Sequence, residues 1–170
     1  MIIKLLKEQK ESWDTSEEPT YLLHKDVALP NEIAKRCRGL QRALKDNMYL
    51  SDHIRDHFEE DVRRYGYKEK DIIEFLNRAC ENPIDPFEVK VAVRSDGAVY
   101  VRKYCIRGEY KDGNDIACVL YPEYNHGVLR PRQEVRTAWV NNEDDIHSTL
   151  DTAKYNTAED IKGLNLKRVI

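Results

Sequence analysis

FEVKVAVRSDGAVYVRKYCI, residues 87–106, decides the fold of this chain. Phe87, Val89, Val91 and Val93 alternate with Glu88, Lys90, Ala92 and Arg94, the period of two of a strand that buries one face. Ser95-Asp96-Gly97 is a tight-turn signal, and the run AVYVRKYCI after it pairs antiparallel with the first. In that second run Val99, Val101 and Cys105 form the apolar set, and Tyr100, Arg102 and Tyr104 the other. Strict alternation sends the adjacent Arg102 and Lys103 to opposite faces. The outer face of this hairpin is therefore expected to show Lys90, Arg94, Tyr100, Arg102 and Tyr104.

Working outward, GEYKDGND reads as a loop leading to the strand IACVLYPEY. A longer loop holding Asn125, His126 and Gly127 leads to EVRTAWV, residues 134–140. There Val135, Thr137 and Trp139 are expected on one face, with Trp139 in the core, and Arg136, Ala138 and Val140 on the other.

Upstream the period is helical. Ile33, Cys37, Leu40 and Leu44 recur at three to four residues after Pro30. Ser51 is a good N-cap for a helix carrying Ile54, Phe58 and Val62, and Gly66 suits its close. KEKDIIEFLNRACEN presents Ile72, Ile73, Leu76 and Cys80 and stops before Pro83. Helices first and strands afterwards predict an α+β fold, N-terminal helices packed on a four-stranded antiparallel β-sheet whose other face is open to solvent or substrate. Residues 1–28 read as an N-terminal extension and 29–170 as a single α+β domain.

A chain of 170 residues, 41% hydrophobic and 35% charged, is long enough for one well-filled core. It has no apolar run of membrane-spanning length and no signal h-region, so the expected location is cytoplasmic, with no membrane partner. Cys37, Cys80, Cys105 and Cys118 lie far apart at apolar positions, which reads as free thiols rather than a zinc or redox motif. The net charge of −3 is uneven: residues 8–18 are acidic, whereas Arg102, Lys103, Arg107 and Lys111, and again Arg130, Arg132 and Arg136, are basic sets. Among the seven glycines there is no GxGxxG or P-loop, and no G-x-S-x-G elbow presents a serine. No cofactor is expected. His53 and His57 are spaced i, i+4, but no third ligand follows at an obvious spacing, so no metal site is assigned. An imidazole there suits a general acid or base, since it titrates near neutral pH.

Arg130 to Tyr155, RPRQEVRTAWVNNEDDIHSTLDTAKY, gathers Arg132, Arg136, Thr137, His147, Ser148 and Tyr155, side chains suited to gripping phosphate, moving protons and stacking a base. Two segments, LSDHIRDHFEEDVRRYGYKEKDIIEFL (residues 50–76) and EVRTAWVNNEDDIHSTLDTAKY (134–155), together resemble the superfamily of barnase, EndoU, colicin-type and RelE-like ribonucleases, in its phage-encoded and polymorphic-toxin forms. That resemblance implies helices followed by a four-stranded antiparallel sheet and a metal-independent endoribonuclease. The helix histidine matches His53, the strand cation Arg102 or Lys103, the last-strand hydroxyl Thr137, and His147 belongs to the tail motif.

The expected catalytic set is thus His53, Arg102, Thr137 and His147, with Lys90, Tyr104, Arg136 and Tyr155 binding substrate. The expected partners are RNA (tRNA or mRNA) and an antitoxin or immunity protein. The alternative is a non-catalytic phage or mobile-element protein that binds a host protein or nucleic acid through the same fold.

Overall fold

The two valine-rich runs pair, and a wider sheet grows around them. The computed structural model describes residues 18–58, 62–125, 128–141 and 151–170. Its strands are β1 (Thr20–His24), β2 (Met48–Leu50), β3 (Glu88–Val93), β4 (Val99–Lys111), β5 (Asn114–Asn125) and β6 (Val128–Asn141). Its α-helices, among the described residues, are α1 (Asn31–Arg42), α2 (Asp52–Asp56) and α3 (Glu69–Glu81). The strands form one six-stranded sheet in the order β1-β3-β4-β5-β6-β2.

This corrects the expected architecture of N-terminal helices on a four-stranded antiparallel sheet. The sheet is larger and mixed: β1 adds antiparallel to β3, and β2 adds parallel to β6. The helices are not N-terminal either, because β1 precedes α1 and β2 separates α1 from α2. Both extra strands are short edge strands of five and three residues, too short to show a period in the sequence. β1 lies within the segment read as an extension, and its five residues are in register with β3 from Thr20↔Ala92 to His24↔Glu88.

The turns follow local chemistry. At the β3–β4 turn Gly97 takes a φ of 87°, and the Asp96 carboxylate accepts the Ala98 N–H at 3.1 Å. Asp112 and Gly113 both have positive φ, 58° and 72°, the pattern of a two-residue hairpin turn that matches the strands' twist. GEYKDGND is therefore no loop; it is the end of β4, a tight turn and the start of β5.

Two inserted residues decide what each face of the sheet carries. The β3–β4 register runs Val91↔Val101 and then Lys90↔Lys103, so Arg102 is a bulge. The β5–β6 register runs Leu120↔Val135 and then Val119↔Thr137, so Arg136 is another. Beyond each bulge the alternation shifts by one. Tyr104 thereby joins Ile106 and Tyr110 in the core, while Cys105 pairs with Glu88 on the second face. Likewise Val135, Ala138 and Val140 are core, and Trp139, expected there, lies outside it opposite Ala117.

The helices cover the face of Tyr104 and Ile106. α1 buries Ile33, Ala34, Cys37, Leu40 and Gln41, and α3 buries Ile72, Phe75, Leu76 and Ala79. α3 comes so close to β4 that a Cβ on Gly108 would lie 2.8 Å from the Ile84 side chain and 3.4 Å from Phe75. Glycine there lets the helix approach the strand. Polar groups in this layer are matched. The buried Gln133 side chain donates to the Leu40 carbonyl at 2.7 Å and accepts the Tyr104 hydroxyl at 2.7 Å. Asp71 accepts the Lys68 N–H at 2.7 Å at the start of α3 and the Tyr110 hydroxyl at 2.8 Å. Burial alone would raise the Asp71 carboxyl, but those bonds and Lys111 hold it below its usual range.

Residues 151–170 pass from the second face of the sheet to the helical one. Tyr155 donates to Glu88 at 2.7 Å. Asn156 then meets the free edge of β1, accepting the Leu22 N–H through Oδ1 and donating its own N–H to the Leu22 carbonyl. Farther on, Ile161 is buried, Leu164, Leu166 and Val169 pack against the core, and the Ile170 N–H bonds to Val99.

Gln41 joins α1 to the segment after α3: its amide donates to the Ile84 carbonyl at 2.7 Å and accepts the Ile84 N–H at 2.8 Å. Gln41→Leu leaves both backbone groups without a partner, so urea unfolding is expected to show a loss of about 1–3 kcal/mol. An unchanged unfolding midpoint and slope would show that the bonds contribute nothing.

Candidate functional site

No described α-helix packs on the second face of the sheet; the 3-10 turn Thr152–Lys154 reaches it through Lys154. Its content follows from register. Leu22 and His24 of β1 lie beside Lys90 and Glu88 of β3, which lie beside Lys103 and Cys105 of β4. On the far side, Ala117, Val119 and Tyr121 of β5 lie beside Trp139, Thr137 and Glu134 of β6, and Glu134 beside Tyr49 of β2. Lys90, Lys103, Val119, Tyr121, Thr137 and Trp139 are all half-buried. The face thus mixes aromatic, aliphatic and cationic side chains at partial exposure.

Glu88 is the centre of one half. Its carboxylate accepts the Tyr155 hydroxyl at 2.7 Å, and Lys103 and Lys154 approach it at 3.7 and 3.5 Å. The Cys105 thiol faces it at 3.6 Å, and the His24 ring lies 4.8 Å from that of Tyr155. Burial pushes the Glu88 carboxyl up, but Tyr155, the two lysines and the thiol outweigh it and hold the group below its usual range. Burial, with the Glu88 charge beside it, pushes the Cys105 thiol up to about 12. Cys105 is therefore a neutral thiol at pH 7, not a nucleophile. Cys37 and Cys118 are likewise buried and raised by desolvation.

The other half is built of stacked pairs. The Arg136 guanidinium lies 3.9 Å over the Tyr121 ring and is paired with Glu134. That of Arg132 lies 4.1 Å over Tyr49, whose hydroxyl bonds to Glu123 and, at 3.3 Å, to Glu134. Burial, with the Glu123 and Glu134 carboxylates beside it, raises the Tyr49 phenol, which stays protonated. Guanidinium stacked on an aromatic ring keeps its N–H edges available for a planar or anionic ligand.

The residues expected to act together divide as follows. Lys90, Thr137, Arg136 and Tyr155 share the second face. Arg102 sits on the same strand as Lys103 but is held by Glu18 at 3.3 Å and by the Tyr100 hydroxyl. It lies two strands from Thr137, about 10 Å across the sheet, and is offset a further three residues, about 10 Å, along the strands, because Thr137 is in line with Cys105. Tyr104, expected to meet substrate, is fully buried and bonded to Gln133, because the Arg102 bulge turned it inward. His53 is exposed on α2, its ring 4.5 Å from that of His57, and α2 contacts β6 through the Ser51 hydroxyl, which donates to the Arg136 carbonyl. His147 and Ser148 lie outside the described residues.

Sequence reasoning missed Glu88, Lys154 and Tyr121. Glu88 had one signal, an acid on the polar side of a valine-rich strand; the pairing of Tyr121 with Arg136 had none. A cavity of about 650 Å³ between α2 and the start of α3 includes none of the expected site residues; Arg55, Phe58, Arg63 and Lys68 line it. Among the described residues, no three His, Cys, Asp or Glu side chains are grouped to hold a metal ion, and no helix is long and apolar enough to cross a membrane. Comparison with protein-family models, with curated proteins and with solved structures returns no match for this chain.

The Glu88 clasp has a pH signature. Its carboxyl is depressed in the folded chain, so its stabilisation is full above the ordinary carboxylate range and is lost as pH falls through the folded value. Urea unfolding from pH 7 to pH 3 is expected to show a lower stability at pH 7 for Glu88→Gln and a shallower loss towards acid. Parallel curves for variant and wild type would remove Glu88 from the account.

Proposed function

We propose that this protein is an endoribonuclease of the toxin type, with single-stranded RNA lying across the second face of the sheet. The observation that supports this reading is the shared placement of Lys90, Arg136, Thr137 and Tyr155, which come from two strands, β3 and β6, and the tail. Tyr121 and Trp139 add aromatic surface beside them, and half-exposed aromatics between cations suit base stacking along a phosphate backbone. Cleavage through the 2′-hydroxyl needs a base for that proton, an acid for the leaving 5′-oxygen and donors for the phosphorane. The reading gives the proton transfers to His53 and His147 and the phosphorane contact to Thr137; Arg102, held by Glu18 two strands from Thr137, would reach only a neighbouring phosphate of the same RNA strand.

A second reading has its own support. Several cations on this face have carboxylate partners: Lys103 and Lys154 share Glu88, Arg107 meets Asp115 and Arg136 meets Glu134. A surface this balanced, on a chain of net charge −3, suits a non-catalytic protein that binds a protein partner.

The two readings separate in one assay. Purified protein is incubated with tRNA, mRNA and rRNA in EDTA. The ribonuclease reading expects cleavage, reduced about 10²–10⁴-fold in His53→Ala or His147→Ala. Intact RNA, with a stable protein complex recovered from the host of origin, would establish the binding protein instead.

A further inference from the structure

β3 and β4 set Lys90 directly opposite Lys103. Opposed like charges on neighbouring strands destabilise a sheet, their Cβ atoms being about 4.5–5.5 Å apart. Two residues along, the Glu88 carboxylate holds Lys103 and Lys154 and accepts the Tyr155 hydroxyl. Two ammonium groups therefore meet one carboxylate, and the register sets Lys90 beside them on the same face. Lys90 has no hydrogen-bond or ion-pair partner among the described residues, although it is half-buried and less screened by water than a surface lysine. Lys103 and Lys154 meet Glu88 as ion pairs at 3.7 and 3.5 Å, and an ammonium carries three donors, which leaves both able to donate to a ligand. Glu88 acts as a positioning residue: it orders two lysines while leaving the group two positive charges in surplus.

We propose that Lys103 and Lys154, held at Glu88 beside Tyr155, and Lys90, opposite Lys103 on the same face, form a seat for a phosphate group. On the ribonuclease reading, on which this choice of ligand rests, that group is a phosphodiester of single-stranded RNA. A phosphate placed between Lys90 and Lys103 turns an unfavourable cross-strand pair into two charge-assisted contacts. Lys154 and Tyr155 come from the C-terminal segment, so the seat is complete only where that segment is docked along β1.

The test uses Lys90→Gln and Lys154→Gln with two probes: inorganic pyrophosphate, and 2′-O-methylated single-stranded RNA, which cannot be cleaved through its 2′-oxygen. Lys90→Gln is expected to raise Tm by about 1–3 °C, because the opposed charge is gone. It is also expected to weaken both probes several-fold and to flatten the salt dependence of RNA binding by about 0.7 in slope. Lys154→Gln, on the exposed tail, is expected to weaken both probes without the gain in Tm. A purely structural lysine would not trade stability against affinity in this way. Unchanged affinity and salt slope in both variants, or a wild type that binds neither probe, overturns the seat. Pyrophosphate binding that depends on Lys90, in a protein that neither binds nor cleaves RNA, supports the seat and ends the ribonuclease reading. RNA cleavage with an unaltered salt slope in Lys90→Gln does the reverse.

Discussion

A pleated strand sends successive side chains to opposite sides, so one inserted residue exchanges the faces of everything beyond it. Of the register shifts in this sheet, those at Arg102 and at Arg136 decide the faces of its central part, and both layers depend on them. The insertion in β4 brings Tyr104 beneath α1, where its hydroxyl meets the otherwise orphaned Gln133 oxygen. In β6 the insertion puts Val135, Ala138 and Val140 into the core and leaves Thr137 and Trp139 on the opposite side. Without the two insertions a buried phenol and a glutamine would face water, and a Trp, a Thr and two cations would compete for the helical interface. Both inserted residues are arginines whose guanidinium groups find partners at once, Glu18 and Glu134.

The same device brings the functional candidates together. Lys103, Cys105 and Glu88 share a side because β4 has already slipped by one residue. The tail then reaches that side, adding Lys154 and Tyr155 to a carboxylate that would otherwise be a buried charge with a single lysine. Burying a carboxylate is unfavourable unless hydrogen bonds and opposite charges compensate for the lost water, and Glu88 has both. The second face is therefore not a neutral by-product of the fold: its charged groups are held by specific partners.

Periodicity in the sequence was enough to locate the long elements. α1 and α3 follow their apolar spacing and Ser51 caps α2 by accepting the Ile54 N–H, but α2 ends at Asp56, and Gly66, with a φ of 85°, closes the separate 3-10 turn Arg63–Tyr65. β1 and β2 escaped because three to five residues cannot display a period, and an edge strand is selected by its neighbour more than by its own composition. The faces of β4 and β6 escaped for another reason: alternation presumes an unbroken ladder, and nothing in VRKY or EVRT announces an insertion. Lys90, Arg136 and Tyr155 were legible as polar residues near strand ends; their gathering with Thr137 on one face was not, since it needed the registers of three strand pairs and the course of the tail.

Asn156 has a consequence for the life of the chain. Its side chain and backbone imitate the neighbouring strand that β1 lacks among the described residues, occupying the donor and acceptor of Leu22. An unoccupied edge of this kind is a template on which another polypeptide can add as a strand, the first step of sheet-wise aggregation. The residues that close it are synthesised after all the rest of the sheet. During translation, β1 therefore remains open to a stray strand until the stretch bearing Asn156 has emerged and docked. A message truncated in the 150s would yield a nearly whole fold with a sticky margin, a species for chaperones and proteases to remove.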